Sequence, residues 1–390
     1  MARVDVRDFV GFIREVTGSG PKGLHEPVFS GNEKTYLNDC IDSGYVSSVG
    51  PYVDAFEEAL RGFVGSKFAV AVVNGTAALH LSLIAAGIKP GDEVLVPALS
   101  FVATANAVSQ MGGIPHFVDV DESTWGVNPT ELRFHLELIG QMRNGQLINK
   151  LTGRPITALV PMHTLGHPAE IESLIAIAAE YQLAVIEDAA ESLGSFVGNR
   201  HTGLFGRLGV ISLNGNKTIT AGGGGAIVTD DEALAHQLKH LSTTARQPHR
   251  FEISHDTIGF NYRMPNVNAA LGLAQLEKAT NLIECQRSLF SLYERAFDGG
   301  SFGVVRREPD WARSNYWLQA ITLPDTLIDK RDELIETAIA SGLQCRPLWV
   351  PLNRLGPYKA NPRSRTRVAE SLYSRVICLP SSSDIVRRAT

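Results

Sequence analysis

Between about residues 52 and 230, short apolar runs alternate with segments whose apolar residues recur at helical spacing, and few folds accommodate that order. Val53, Phe56, Ala59, Leu60 and Phe63 lie at helical intervals. The run 68-FAVAVV-73 reads as a buried strand ending at Asn74-Gly75, and 76-TAALHLSLIAAG-87 as a helix closed by glycine. Strands follow at 93-EVLVP-97, 115-PHFVDV-120, 156-ITALVPM-162, 184-AVIED-188 and 209-GVISL-213, with helices at 101-FVATANAVSQM-111 and 169-AEIESLIAIAAEYQ-182. Continuous apolar strands separated by helices predict a mostly parallel sheet covered on both faces. Ligands of such sheets sit at the carboxyl ends of the strands.

The stretch 140-GQMRNGQLINKLTGRP-155 is polar and without period, and reads as a surface insertion. Residues 242–265 form a second long connection, and a helix is expected from Asn266 through the 280s. Beyond residue 300 the pattern turns α+β, with strands at 316-YWLQAITL-323 and 344-QCRPLWV-350 around a helix at 328-IDKRDELIETAIASG-342. A chain of 390 residues is too long for one ordinary core, so two domains are expected, over 1–265 and 266–390. A net charge of −5 gives no footprint for nucleic acid. No apolar run is long enough to span a membrane, and the charged N-terminal stretch does not read as a secretory signal. Cys40, Cys285, Cys345 and Cys378 are scattered, which argues against a zinc or disulfide framework and suits a reducing cytoplasm.

Several chemistries fall away. A phosphate-binding P-loop needs glycine directly before its lysine; here Asn216 precedes Lys217, and Ile211 stands where the first glycine belongs. His163 and His167 have the spacing of a zinc helix, but Gly166 and Pro168 point to a turn, with one or both histidines facing a cleft. Three features remain, each at a predicted strand end. At 74-NGTAAL-79 a helix start offers free N–H groups to an anion, or is a plain cap. In 185-VIEDAAES-192, Glu187 and Asp188 alternate sides, so one carboxylate should face the crevice, where it could hold a protonated nitrogen; alternatively it caps the next helix. In 212-SLNGNKTITAGGGG-225, Lys217 stands among small residues, either as a desolvated nucleophile or as a surface lysine in a turn. Each feature alone favours the bland alternative. Together they supply what pyridoxal phosphate needs: a phosphate cradle, an acid for the ring nitrogen and a lysine for the aldehyde. Gly215 would let the lysine turn toward the ring, and Gly222–Gly225 would let backbone pass close by.

The motifs 50-GPYVDAFEEAL-60, 97-PALSFVATANAV-108, 187-EDAAES-192, 212-SLNGNKT-218 and 259-GFNYRM-264, with 74-NGTAAL-79, resemble the DegT/StrS-type sugar-nucleotide aminotransferases over nearly the whole chain. The resemblance implies an α/β protein of pyridoxal phosphate-dependent transferase fold type I. Such a protein has a large domain with a mostly parallel seven-stranded sheet flanked by helices, and a smaller α+β C-terminal domain. It implies that Lys217 carries the cofactor and moves the substrate proton, and that Asp188 pairs with the ring nitrogen. Gly75, Thr76 and Ser212 would bind the phosphate, Phe101 would stack on the ring, and His163 would stand near cofactor or sugar. Asn261 would reach the cofactor phosphate of the neighbouring subunit in a homodimer with shared active sites. Three positions depart from the family pattern: Glu191 replaces the Gln or His near the cofactor's 3′-oxygen, Asn74 replaces a common serine, and Asn353 replaces a frequent histidine. The motifs PMHTLGHP, EDAAESLGS and ARSNYWL are similar to those of C4-aminating enzymes of legionaminic-acid and bacillosamine-type pathways. That branch takes a UDP-linked 2-acetamido-4-keto-2,6-dideoxyhexose and glutamate; the similar perosamine synthases take GDP-linked 4-keto-6-deoxymannose. A sugar dehydratase of the same fold would carry histidine at Lys217, and a non-catalytic regulatory member would be expected to lack Lys217 or Asp188.

Overall fold

A computed structural model describes residues 6–387; the outermost residues of the two expected domains, 1–5 and 388–390, lie outside it. Helices α1 (Val6–Thr17), α2 (Glu33–Ser43) and α3 (Pro51–Val64) precede strand β1 (Phe68–Val72) and helix α4 (Gly75–Ala85). Then come β2 (Glu93–Pro97), α5 (Ala103–Gln110), β3 (Ile114–Val118) and α6 (Pro129–Ile139). Next are β4 (Gly140–Arg143), β5 (Gln146–Asn149), β6 (Pro155–Leu159), α7 (Ile171–Glu180) and β7 (Ala184–Asp188). A short ribbon, β8 (Phe196–Val197) and β9 (Arg200–His201), leads to β10 (Leu208–Ser212), β11 (Gly225–Thr229) and α8 (Glu232–Ser242).

The central sheet runs β1-β11-β10-β7-β6-β2-β3, the seven-stranded path expected. The hairpin β4–β5 attaches through β6 and brings the total to nine strands. Neighbours from β10 through β3 on that path are parallel, and β11 runs against both of its neighbours, as β5 does in the attached hairpin. Alternate residues serve opposite faces: Val70 and Val72 pack in one buried cluster, Ala69 and Ala71 in another. That two-sided burial is why these strands read as continuous apolar runs. The carboxyl ends of β1, β2, β7 and β10 gather on one edge, where the site lies.

The stretch expected to be a patternless insertion is instead a hairpin. Asn144 (φ 49°) and Gly145 (φ 77°) form its two-residue turn, with Arg143 opposite Gln146. An Asn-Gly pair suits such a turn because both positions need left-handed backbone. The helix expected through the 280s is two helices, α9 (Asn266–Leu276) and α10 (Ala279–Phe297).

In the C-terminal part, a four-stranded antiparallel sheet is ordered β12-β14-β16-β15, from β12 (Val304–Val305), β14 (Ala320–Thr322), β15 (Arg346–Pro347) and β16 (Val376–Cys378). Strand β13 (Ala312–Arg313) instead pairs with β8 of the ribbon. The predicted strand 316–323 shortens to β14 because Tyr316 has φ 50°, which breaks extended backbone. The predicted strand 344–350 shortens to two residues ending at Pro347, which has no N–H for a ladder. Helix α11 (Arg331–Ala340) follows a 3₁₀ turn and ends before Gly342. Helix α1, expected with the large domain, buries Phe9 and Ile13 against Leu289 and Tyr293 of α10 and Leu334 of α11. Among the described residues no helix is long and apolar enough to cross a membrane, and no cluster of His, Cys, Asp or Glu could hold a metal ion.

Candidate active site

A cavity of about 290 Å³ opens at the carboxyl edge of the sheet, lined by Gly75, Thr76, Phe101, Asp188, Glu191, Ser212 and Lys217. These seven sequence-assigned residues therefore share one space, whereas His163 and Asn261 are outside it. Asn214, Trp317, Arg346 and Trp349 line it as well.

The anion cradle starts at Asn74, whose side chain accepts from Ala77 N–H at 2.8 Å and caps α4. The cap and the anion site are thus compatible, because Gly75 and Thr76 still present the first turn of the helix. A Cβ on Gly75 would lie 3.0 Å from Ser212 Cβ and 3.2 Å from its hydroxyl. The absence of a side chain there keeps open the gap between helix start and serine. Gly225, across β11, has a sharper reason to be glycine. A Cβ there would fall 2.6 Å from the Asn74 carbonyl carbon and 2.8 Å from Gly75 N. Gly215, expected to let the lysine turn toward the ring, has nothing nearer than 3.9 Å to its would-be Cβ, so no close contact requires glycine there.

Glu187 and Asp188 separate by strand alternation. Asp188 turns into the cavity: Thr104 Oγ1 donates to Oδ2 at 2.7 Å and Ala190 N–H to Oδ1 at 3.2 Å. Ser100 supports Thr104 at 2.8 Å. Burial pushes the Asp188 carboxyl above the ordinary range, against the pull of these hydrogen bonds and of Lys217. Glu187 turns to the other face. It accepts from the N–H groups of Gly203 (2.8 Å), Phe205 (2.6 Å) and Gly206 (2.6 Å), so it is an anchor for that loop.

His163 goes with Glu187 and not with the cavity, which corrects the expectation that it stands near the chemistry. Its Nδ1 accepts from Ala169 N–H at 3.1 Å, so Nε2 carries the proton and donates to Glu187 at 3.0 Å. Both nitrogens are committed in a fully buried ring. His167 is also buried and outside the cavity lining, so neither histidine faces the cleft. Asn261 is exposed on the 242–265 segment and outside this cavity; it bridges Thr243.

Lys217 Nζ lies 3.1 Å from Glu191 Oε1 and 4.1 Å from the centroid of the Trp317 ring. Burial raises the Glu191 carboxyl above its ordinary range, opposed by Lys217. Phe101 stands half-exposed at the mouth, edge-on to Trp349 at 6.3 Å. Sequence reasoning assigned no role to Trp317 or Arg346. Both come from the far C-terminal part, and no spacing pattern ties them to Lys217. A helix N-terminus, a buried acid and an amine that open into one cavity fit pyridoxal phosphate.

The profile of the DegT/DnrJ/EryC1/StrS aminotransferase family matches residues 28–389. The chain is 36% identical to EpsN of Bacillus subtilis (strain 168), provisionally described as a pyridoxal phosphate-dependent aminotransferase, over 93% of this chain and 91% of that protein. It is also 36% identical to a GDP-perosamine synthase of Escherichia coli O157:H7, over 92% of each chain. Among solved structures, a DegT DnrJ EryC1 StrS aminotransferase from Brucella abortus superposes with a TM-score of 0.82 at 27% identity, covering 92% of this chain and 95% of that one.

Proposed function

The chain belongs to the DegT/DnrJ/EryC1/StrS aminotransferase family, and we propose that it aminates C4 of a nucleotide-linked 4-keto-6-deoxy hexose, with glutamate as donor, by ping-pong transamination. Its cofactor is pyridoxal phosphate. When bound, that group supplies an aldehyde and a ring that stores the electron pair freed at the substrate carbon.

The observation that carries this reading is the opening of Lys217, Asp188 and the α4 N-terminus into one cavity. Gly75, Thr76 and Ser212 would hold the phosphate through N–H groups, hydroxyls and the positive helix end. Asp188 would keep a proton on the ring nitrogen through close opposite charge. Phe101, at the mouth, would cover the ring. The Lys217 amine would carry the cofactor and move the proton at the substrate carbon. Arg346 is the other cation of the cavity, and it receives the carboxylate of the amino donor. A cavity near the lower end of small-molecule sites admits the cofactor and the reacting end of a sugar, leaving the nucleotide outside.

The UDP-linked 2-acetamido-4-keto-2,6-dideoxyhexose is the substrate we favour, from the SLNGNKT and ARSNYWL motifs. The GDP-perosamine synthase relative favours a second reading, GDP-linked 4-keto-6-deoxymannose. Incubation with glutamate and a panel of UDP-, GDP- and TDP-linked 4-keto sugars decides. A product heavier by about one mass unit than its keto sugar, the change from C=O to CH–NH₂, is expected for the true substrate. No amination of any member would sink the proposal. We also propose a cytoplasmic homodimer in which Asn261 serves the neighbouring site. Its exposure away from its own cavity supports this, as do exposed Phe29, Tyr45, Val46 and Val49.

A further inference from the structure

The amine of Lys217 rests in a site built around it. Glu191 Oε1 lies 3.1 Å away on one side and the Trp317 ring 4.1 Å away on another, and the lysine side chain is only 12% exposed. Both partners are pinned in turn. Glu191 Oε2 accepts from Leu165 N–H at 2.9 Å, and Trp317 Nε1 donates to the carbonyl of Asn216 at 2.7 Å. Leu165 (φ 54°) and Tyr316 (φ 50°) hold left-handed backbone beside these contacts, which residues with bulky side chains seldom do. Such conformations persist only where surrounding structure over-determines them, and they cluster at working sites.

Asn315 does the over-determining. Its Nδ2 donates to the carbonyls of Glu191 and Leu193, both at 2.9 Å, and to Thr218 Oγ1 at 3.1 Å. Its Oδ1 accepts from Trp317 N–H at 2.9 Å. Gly166 lets this happen, because a Cβ there would sit 1.9 Å from Asn315 Oδ1. One asparagine therefore joins the carboxylate segment, the lysine segment and the tryptophan.

We propose that Glu191 and Trp317 form a docking site for the protonated, unlinked amine of Lys217, and that Glu191 Oε1 takes the amine's proton when the amine leaves to react. The inference rests on the reading of Lys217 as the cofactor-linking lysine. An aromatic face and a carboxylate both favour an ammonium over a neutral amine. On release the N–H bond breaks, its electron pair stays on nitrogen, and an O–H bond forms on Glu191. A buried ion pair becomes a neutral pair, and the net charge of the cavity is unchanged. Glu191 acts through Lys217 and is a positioning residue in this role.

The surrounding groups suit that exchange. Burial, then Asp188, holds the Glu191 carboxyl above its ordinary range, while Lys217 opposes them. Asp188 itself is tied to Thr104 and Ala190. His25, 6.3 Å from the Trp317 ring, is lowered to about 4, first by burial and then by Lys217, so it adds no cation. Cys378 is pushed up to about 12 by burial, remains a thiol, and faces Arg346 on β15. Among the described residues, Glu191 is the one carboxylate at hydrogen-bond distance from the amine.

The test uses holoenzyme carrying the amino form of the cofactor, in which Lys217 is unlinked. Isotope-labelled acetic anhydride is applied across pH 6.5–8.5 and the acetylation rate of Lys217 is read by peptide mass spectrometry. Glu191→Gln should raise that rate roughly tenfold near neutral pH, because the carboxylate 3.1 Å from the amine that holds it as an ammonium is lost. Trp317→Leu should raise it roughly threefold, while Trp317→Phe, which keeps an aromatic face, should stay near wild type. Unchanged rates in Glu191→Gln and Trp317→Leu would overturn the proposal. So would a Trp317→Phe variant as reactive as Trp317→Leu, since packing alone would then be at work. Borohydride reduction of the aldehyde-form wild type is run in parallel. Failure to fix cofactor on Lys217 would fault the functional reading, whereas fixation with unchanged acetylation would fault the docking site alone.

Discussion

Glu187 and Asp188 are consecutive in the chain and face opposite sides of the sheet, one gripping three backbone N–H groups and the other opening into the cavity. Their exchange for amides should therefore fail in different ways. Asp188→Asn should keep the fold and lower kcat/KM by about 100- to 1,000-fold, as expected when a preorganised charge is lost at a reacting centre. Glu187→Gln should leave the activity of folded protein near normal and cost about 1–3 kcal/mol of stability, because buried donors lose an acceptor. Steady-state kinetics and urea unfolding of both variants check this, and an inactive but stable Glu187→Gln would move the catalytic role to that residue.

Gly225→Ala should disturb the phosphate cradle from behind. The added methyl would press on the Asn74 carbonyl and Gly75 N. An overpacked site of this kind costs about 1–3 kcal/mol. The expected result is a lower melting temperature and weaker pyridoxal phosphate binding by absorbance titration, with Gly215→Ala as the tolerant control.

Arg346→Gln should separate the two half-reactions. Losing a charge-assisted contact worth about 1.5–3 kcal/mol predicts a 10- to 150-fold rise in the KM for glutamate. The half-reaction with the keto sugar should change little. Stopped-flow spectra of each half-reaction measure this, and an equal loss in both would remove the donor-carboxylate role.

Much of the frame was legible in the chain. Strands β1, β2, β7 and β10 are apolar on both faces, and a run of that kind has no competing reading next to glycine and helix starts. The hairpin β4–β5 escaped because its residues are polar, although Asn144-Gly145 carried the turn signal. His163 was misplaced because sequence tells that a histidine is near a strand end but not which face it takes. Trp317 and Arg346 were invisible as partners of Lys217. They arrive through the β13–β8 pairing and the C-terminal sheet, which are contacts between segments far apart in the chain.

Acid should weaken the fold through buried neutral histidines. His25, His135 and His201 are lowered from 6.5 to about 4, in each case mainly by burial. The unfolded chain protonates them below about pH 6.5 and the folded chain does not. Their contribution is therefore full above that value and is lost as pH falls toward 4, at up to about 1.4 kcal/mol per pH unit for each. The raised carboxyls of Asp188 and Glu191 work in the opposite sense, favouring the folded state at low pH. His135→Gln isolates one histidine: urea unfolding between pH 6.5 and 4.5 should show a flatter decline than wild type, and an equal slope would contradict the assignment.

The central claim is that Lys217 bears the cofactor. Purified protein incubated with pyridoxal phosphate should absorb in the visible. Borohydride should abolish that band, and proteolysis should place the cofactor's mass on the peptide containing Lys217, with no such band or adduct in Lys217→Ala. Cofactor fixed on a different lysine, or a colourless wild-type protein, would contradict the account.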